Sequence, residues 1–113
     1  MEILTTVWHV GIVSNMKAVE LVRTRISYSS TAFAELFLWR VPDSVEGSLH
    51  FFKYRLAYVV NGVCVLRYDN EVGKGGHRHY GDIEKRYRFT TPDKLIADFQ
   101  ADITRWNDEN SDS

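Results

Sequence analysis

The sequence lacks most of the features that announce a mechanism. Cys64 is the only cysteine among 113 residues, so no intramolecular disulfide can form. It sits inside the apolar run "GVCVLRY", where a thiol behaves as a small hydrophobe, and this fits a reducing cytoplasm. No apolar run reaches the ~20 residues that a membrane helix needs. The opening "MEILTTVWHVGIVSN" has neither a basic leading region nor a small-residue cleavage site, so no signal peptide is expected. Repeats, low-complexity tracts and a Walker-type phosphate loop are all missing. The formal net charge is −1, which sets the chain apart from polybasic nucleic-acid binders and from acidic tails.

What is present is the balance of an ordinary globular domain, 44% hydrophobic and 26% charged. The length suits one core. The small net charge hides a sorted one. Between Lys53 and Arg88 the bases Lys53, Arg55, Arg67, Lys74, Arg78, Lys85, Arg86 and Arg88 outnumber the acids Asp69, Glu71, Asp82 and Glu84. From Asp93 onward the acids Asp93, Asp98, Asp102, Asp108, Glu109 and Asp112 outnumber Lys94 and Arg105. A basic face with an acidic element elsewhere is one reading; solvated strands and a solvated helix are the other.

Residues 1–15 read as an extension or a first strand, 16–106 as a single domain, and 107–113, "NDENSDS", as a polar tail. The stretches "KAVELVRTRISY" and "TAFAELFLWRV" are β-rich and divided at Ser29-Ser30. Pro, Asp, Ser and Gly make "VPDSVEGS" a loop. In "HFFKYRLAYVVNGVCVLRYDN", Asn61-Gly62 predicts a two-residue type I′ hairpin. Counting outward from that turn sets Val60 opposite Val63, Tyr58 opposite Val65, Arg55 opposite Tyr68 and Tyr54 opposite Asp69. Strand alternation then gives a core face with Tyr54, Leu56 and Tyr58, and an opposite face whose polar end carries Lys53, Arg55, Tyr68 and Asn70. Further strand follows in "HRHY" and "KRYRFT", interrupted at Gly81-Asp82. "TTPDKLIADFQADITRW" predicts a helix with Thr91 as N-cap, Pro92 first and Asp93 in the first turn. Leu95, Ile96, Phe99, Ile103 and Trp106 form its apolar stripe. The expected architecture is α+β, an antiparallel meander of about five strands packed against one C-terminal helix.

Chemistry concentrates in "RYDNEVGKGGHRHYGD". On a strand, His77 and His79 project from the same side of Arg78. Two imidazoles of that spacing serve either of two purposes. They ligate a transition metal if a third or fourth ligand joins them, with Asp69, His50 or Asp82 as candidates, though none is forced by spacing. Alternatively they act as general acid and base, because histidine accepts and releases protons near neutral pH. Metal-free RNA cleavage needs one group to deprotonate the 2′-hydroxyl, another to protonate the leaving 5′-oxygen, and cations for the phosphorane. On that scheme His77 and His79 share the proton transfers, and Tyr68 and Asp69 orient them. Arg55 and Lys74 hold the phosphate, joined by Lys53, Arg78 and Asn70 in binding the substrate. No cofactor and no resident metal are expected. The plain alternative is a polar strand edge, with Asp69-Asn70 there because both types favour strand ends.

The residues "FKYRLAYVVNGVCVLRYDNEVGKGGHRHYGD", followed by "YRFTTPDKLIADFQADITRW", resemble the TumE-type toxins of bacterial and archaeal toxin–antitoxin pairs. The likeness runs from about Met16 to Trp106. It is most specific at Tyr54-Arg55, at Tyr68-Asp69-Asn70 and at His77 and His79. It implies a small cytoplasmic toxin neutralised by a helix-turn-helix antitoxin, but no settled catalytic mechanism. Antitoxin contact is expected on the acidic helix or over the basic face, and an exposed strand edge leaves room for a homodimer. RNA is the substrate expected from the residues. A non-enzymatic module binding protein or nucleic acid, and a His-ligated metallo-hydrolase, remain as alternatives.

Overall fold

The computed structural model describes residues 18–44, 50–71 and 75–111; the expectations for residues 1–15 and for Lys74 fall outside them. Six strands follow in chain order: β1 (Val19–Ser29), β2 (Ala32–Arg40), β3 (Phe52–Val60), β4 (Val63–Glu71), β5 (Gly75–Tyr80) and β6 (Ile83–Arg86). Each pairs antiparallel with the next in one sheet of order β1-β2-β3-β4-β5-β6, and helix α1 (Pro92–Glu109) packs across it. The expected meander with a covering helix is what forms. The sixth strand arises because Gly81, at φ 60°, turns the chain straight back on β5 with Asp82.

Helix α1 starts as its sequence predicts. The Thr91 hydroxyl accepts from the Lys94 amide at 3.1 Å, and Pro92 and Asp93 occupy the first turn. It ends later than the apolar stripe suggests, running on through Asn107 to Glu109. Leu95, Phe99 and Ile103 are buried against Ala34, Leu36 and Leu38 of β2, Tyr54, Leu56 and Tyr58 of β3, and Leu66 and Tyr68 of β4. Burying each large apolar side chain contributes about 1.5–3 kcal/mol.

The acids of α1 also work inward. Tyr68 donates to Asp102 (2.6 Å), Tyr87 to Asp98 (2.6 Å) and Tyr80 to Glu109 (2.5 Å). Much of the acidity of this helix is thus used on tyrosine hydroxyls of β4, β5 and the segment after β6.

The β3–β4 hairpin begins as predicted. Asn61 (φ 52°) and Gly62 (φ 80°) both occupy the left-handed region, as a type I′ turn requires, and Val60 faces Val63. A bulge then intervenes between Tyr58 and Val59, so Tyr58 pairs with Leu66 rather than Val65. Everything beyond shifts by one: Arg55 faces Asp69, and Leu56 faces Tyr68. Because side chains alternate, one extra residue exchanges the two faces of β4. The expected pairing of Arg55 with Tyr68 is therefore corrected. Tyr68 and Asn70 turn toward the helix, both 1% exposed, while Arg67 and Asp69 turn away from it.

Candidate active site on the helix-free face

Among the described residues no helix lies over the sheet face opposite α1, the helix-free face in that sense, although Phe37 and Ala57 on it are only 4% and 5% exposed. On that face the pairings align Phe37, Arg55, Asp69, His77 and Arg86 across β2 to β6. The adjacent row holds Glu35, Ala57, Arg67, His79 and Glu84. Strand geometry thus brings both imidazoles together with Arg55, Asp69 and Lys53, three strands contributing to one surface.

Within that surface a chain of polar contacts runs through the histidines. Glu84 Oε2 lies 2.8 Å from His77 Nδ1 and 3.5 Å from His79 Nε2, so one carboxylate serves both rings. The His77 contact is close enough for charge pairing but misses hydrogen-bond alignment, and His77 Nε2 has no hydrogen-bond partner among the described residues. Arg67 Nη2 lies 3.0 Å from His79 Nε2. A guanidinium only donates, so in the neutral ring Nε2 accepts this bond and Nδ1 carries the proton, whereas in the imidazolium Nε2 turns its proton toward Glu84. Arg67 Nε reaches Asp69 Oδ2 at 3.2 Å. The His77 and His79 side chains are 15% and 24% exposed, and both ring nitrogens of His77 are closed off from solvent. Half-buried Arg55 makes no hydrogen bond or ion pair with the described residues, which leaves its cation available to an anionic ligand.

The other expected site residues sit on the helix side. Arg78, between the two histidines, points the opposite way and grips Asp102 with Nε (2.7 Å) and Nη2 (2.7 Å). It also donates to the Tyr68 hydroxyl at 2.9 Å. Burial, then the hydrogen bond to Asp102, holds the Tyr68 phenol well above the ordinary tyrosine range, so it keeps its proton at neutral pH. Asn70 accepts from the Tyr54 amide (3.0 Å) and donates to the Phe52 carbonyl (2.7 Å), extending the β3–β4 pairing with its side chain. Sequence reasoning grouped these three with the histidines; the fold puts them behind the sheet.

Two residues absent from the sequence-based set stand at the centre of the face, Arg67 and Glu84. A signal for Glu84 was available. If Gly81-Asp82 is a two-residue turn, Tyr80 pairs with Ile83 and His79 with Glu84, as observed. Arg67 required the bulge.

His50, considered as a metal ligand, accepts from the Phe52 amide at 3.1 Å and packs on Phe89, with ring centroids 4.2 Å apart. Burial lowers its pKa, favouring the neutral ring. Among the described residues no three His, Cys, Asp or Glu side chains come together as a metal-binding group.

The fold and this face define a small α+β protein, one sheet side closed by a helix and the other carrying two imidazoles among cations and carboxylates. The Toxin TumE family model matches residues 9–107, most of the chain, and the protein belongs to that family. It is accordingly the toxin component of a toxin–antitoxin system, with an antitoxin as its partner. No curated protein and no solved structure matches it. Among the described residues no helix is long and apolar enough to cross a membrane.

Proposed function

We propose that this toxin is a metal-independent endoribonuclease whose reaction surface is the helix-free face. The observation that carries the reading is the sharing of Glu84 by His77 and His79 on one side of β5. In-line transfer of a phosphoryl group needs a base at the attacking 2′-oxygen and an acid at the leaving 5′-oxygen, on opposite sides of phosphorus. Two residues apart on a strand are about 6.6 Å apart, a separation that lets two imidazoles straddle one phosphate. His77, whose buried Nε2 has no hydrogen-bond partner among the described residues, takes the proton once substrate opens the face over it, with Glu84 beside its Nδ1 to stabilise the imidazolium. His79, entering the reaction as the imidazolium, delivers a proton to the leaving oxygen and ends as the neutral ring. Arg55 and Lys53 hold the phosphate, and Arg67 with Asp69 fixes the position of His79. Tyr68, Asn70 and Arg78 support the surface from behind. The products are a 2′,3′-cyclic phosphate and a 5′-hydroxyl, and the place of action is the cytoplasm. A helix-turn-helix antitoxin laid over this face would block it directly.

The test is induced expression with growth and total RNA followed together. Wild type should arrest growth and fragment RNA, and folded His77→Ala/His79→Ala should do neither. Cleavage by purified protein should persist in excess EDTA. Fragmentation by the folded double variant would sink the reading. Arrest by both proteins with RNA intact would assign the face to binding rather than chemistry.

A further inference from the structure

The face that carries the histidines opens toward one edge of the sheet. In the row Phe37, Arg55, Asp69, His77 and Arg86, aligned across β2 to β6, Phe37 is buried and Arg86 is exposed. The neighbouring row runs the same way, from buried Ala57 on β3 to Glu84 on β6, whose side chain is 47% exposed. No described strand pairs with β6 beyond β5, and every residue of β6 is exposed. A ligand therefore reaches His77 and His79 over the β6 edge, past Arg86. Arg86 pairs directly with His77, and alternation puts its side chain on the same face as Glu84. Glu84 lies against both imidazoles, at 2.8 Å and 3.5 Å, so that carboxylate is occupied by the rings. Arg86 itself makes no hydrogen bond or ion pair with the described residues.

From this opening we infer that Arg86 is a catalytic residue of the toxin, holding the non-bridging oxygens of the scissile phosphate as RNA enters over β6. The role rests on the ribonuclease reading; the choice of residue rests on register and exposure. Directly paired residues have Cβ atoms about 4.5–5.5 Å apart, so the Arg86 guanidinium reaches an anion seated on His77. Arg55 stands on the other side of His77, two strands or roughly 10 Å away. The phosphate is then held from two sides, with the nearer cation on the edge strand. When the 2′-oxygen attacks, the non-bridging oxygens go from sharing one negative charge to sharing two. A guanidinium donates two parallel N–H bonds to such a pair of oxygens, and holds them harder as that charge grows. Arg86 moves no proton; the proton transfers stay with the histidines. Because the contact strengthens in the transition state, its loss falls on kcat more than on KM.

The test uses the purified full chain and total bacterial RNA at varied concentration, with new 5′-hydroxyl ends followed in time. Arg86→Ala should lower kcat about 100-fold, the loss expected when one transition-state donor is removed, with KM within about threefold of wild type. Arg86→Lys should keep part of the rate, because it retains the charge but not the two-pronged donor. Free guanidinium at millimolar concentration should restore cleavage to Arg86→Ala, which it would not do for a merely structural arginine. Lys85→Ala removes the same charge from the other face of β6, opposite Arg78, and should cleave as wild type does. Wild-type kinetics for a folded Arg86→Ala would overturn the role. So would an equal loss in Lys85→Ala, which would mark a general charge effect. The two levels of the argument fail differently. No new ends from wild type would sink the ribonuclease reading and this role together, whereas equal cleavage by wild type and Arg86→Ala would sink the role alone.

Discussion

Arg78 and Asp102 show how one side chain connects the helix to the chemistry. Asp102 is 6% exposed, and its two oxygens receive both guanidinium bonds and the Tyr68 hydroxyl. Removing one member of such a pair costs more than the pair contributes, because the survivor is left charged in a poor solvent. Since Arg78 keeps a quarter of its side chain in solvent, Asp102→Ala is expected to cost about 2–4 kcal/mol, slightly less than a fully buried pair. A lowered midpoint with unchanged slope in urea denaturation would bear this out. A loss under 1 kcal/mol would mean that solvent already screens the pair. Sequence alone could not assign Arg78: its neighbours are histidines on both sides, and only alternation separates its work from theirs.

At the level of elements, what was legible is what depends on local chemistry. The Asn61-Gly62 turn, the Thr91 cap and the stripe of α1 all follow from residues a few positions apart, while the division expected at Ser29-Ser30 falls one residue later, at Ser30-Thr31. What failed was the propagation of register. A bulge near Val65 is decided by packing of Tyr68 and Leu66 against a helix far along the chain, and no residue at the bulge itself announces it. The joint placement of His77 and His79 was readable because it needs only alternation within β5. The placement of Tyr68, Asp69 and Asn70 was not, because it needs the count across a turn and a bulge. The β5 strand also carries a constraint visible only in three dimensions. The Tyr87 amide donates to the Gly76 carbonyl, and a Cβ on Gly76 would collide with the Tyr87 carbonyl oxygen and lie 2.8 Å from the Tyr54 hydroxyl. Overpacking of this kind costs about 1–3 kcal/mol. Gly76→Ala should therefore lower the melting temperature; an unchanged melting temperature would show that the segment after β6 moves aside freely.

For the molecule as a whole, the two charge blocks of the sequence have different uses. The acids of α1 turn largely inward to tyrosines and Arg78, while the bases of β3 to β6 divide between that face and the helix-free one. The near-neutral total is the sum of an internal account and an external one, so it says little about either face. The edge strand β1, eleven residues long, presents Arg23 and Arg25 on one side of Thr24 and its neighbours. Pairing two copies antiparallel about Thr24 would set Arg23 of each against Arg25 of the other, which disfavours that route to a homodimer.

Strictly sequential strand order has a consequence in time as well as space. During synthesis every strand finds its sheet neighbour among residues already made, so the sheet is assembled in the order of translation. The helix that closes it follows all six strands. Until α1 has emerged from the ribosome, Asp102 is not there to hold Arg78, and β5 has no anchor behind its two histidines. A chain stalled after Phe89 should thus remain sensitive to pulse proteolysis, whereas one extended beyond Asn110 should resist it; early resistance would show that the sheet stands alone. On the proposed reaction the fold itself sets the timing, since the strand that carries both histidines gains its backing only when the last element docks.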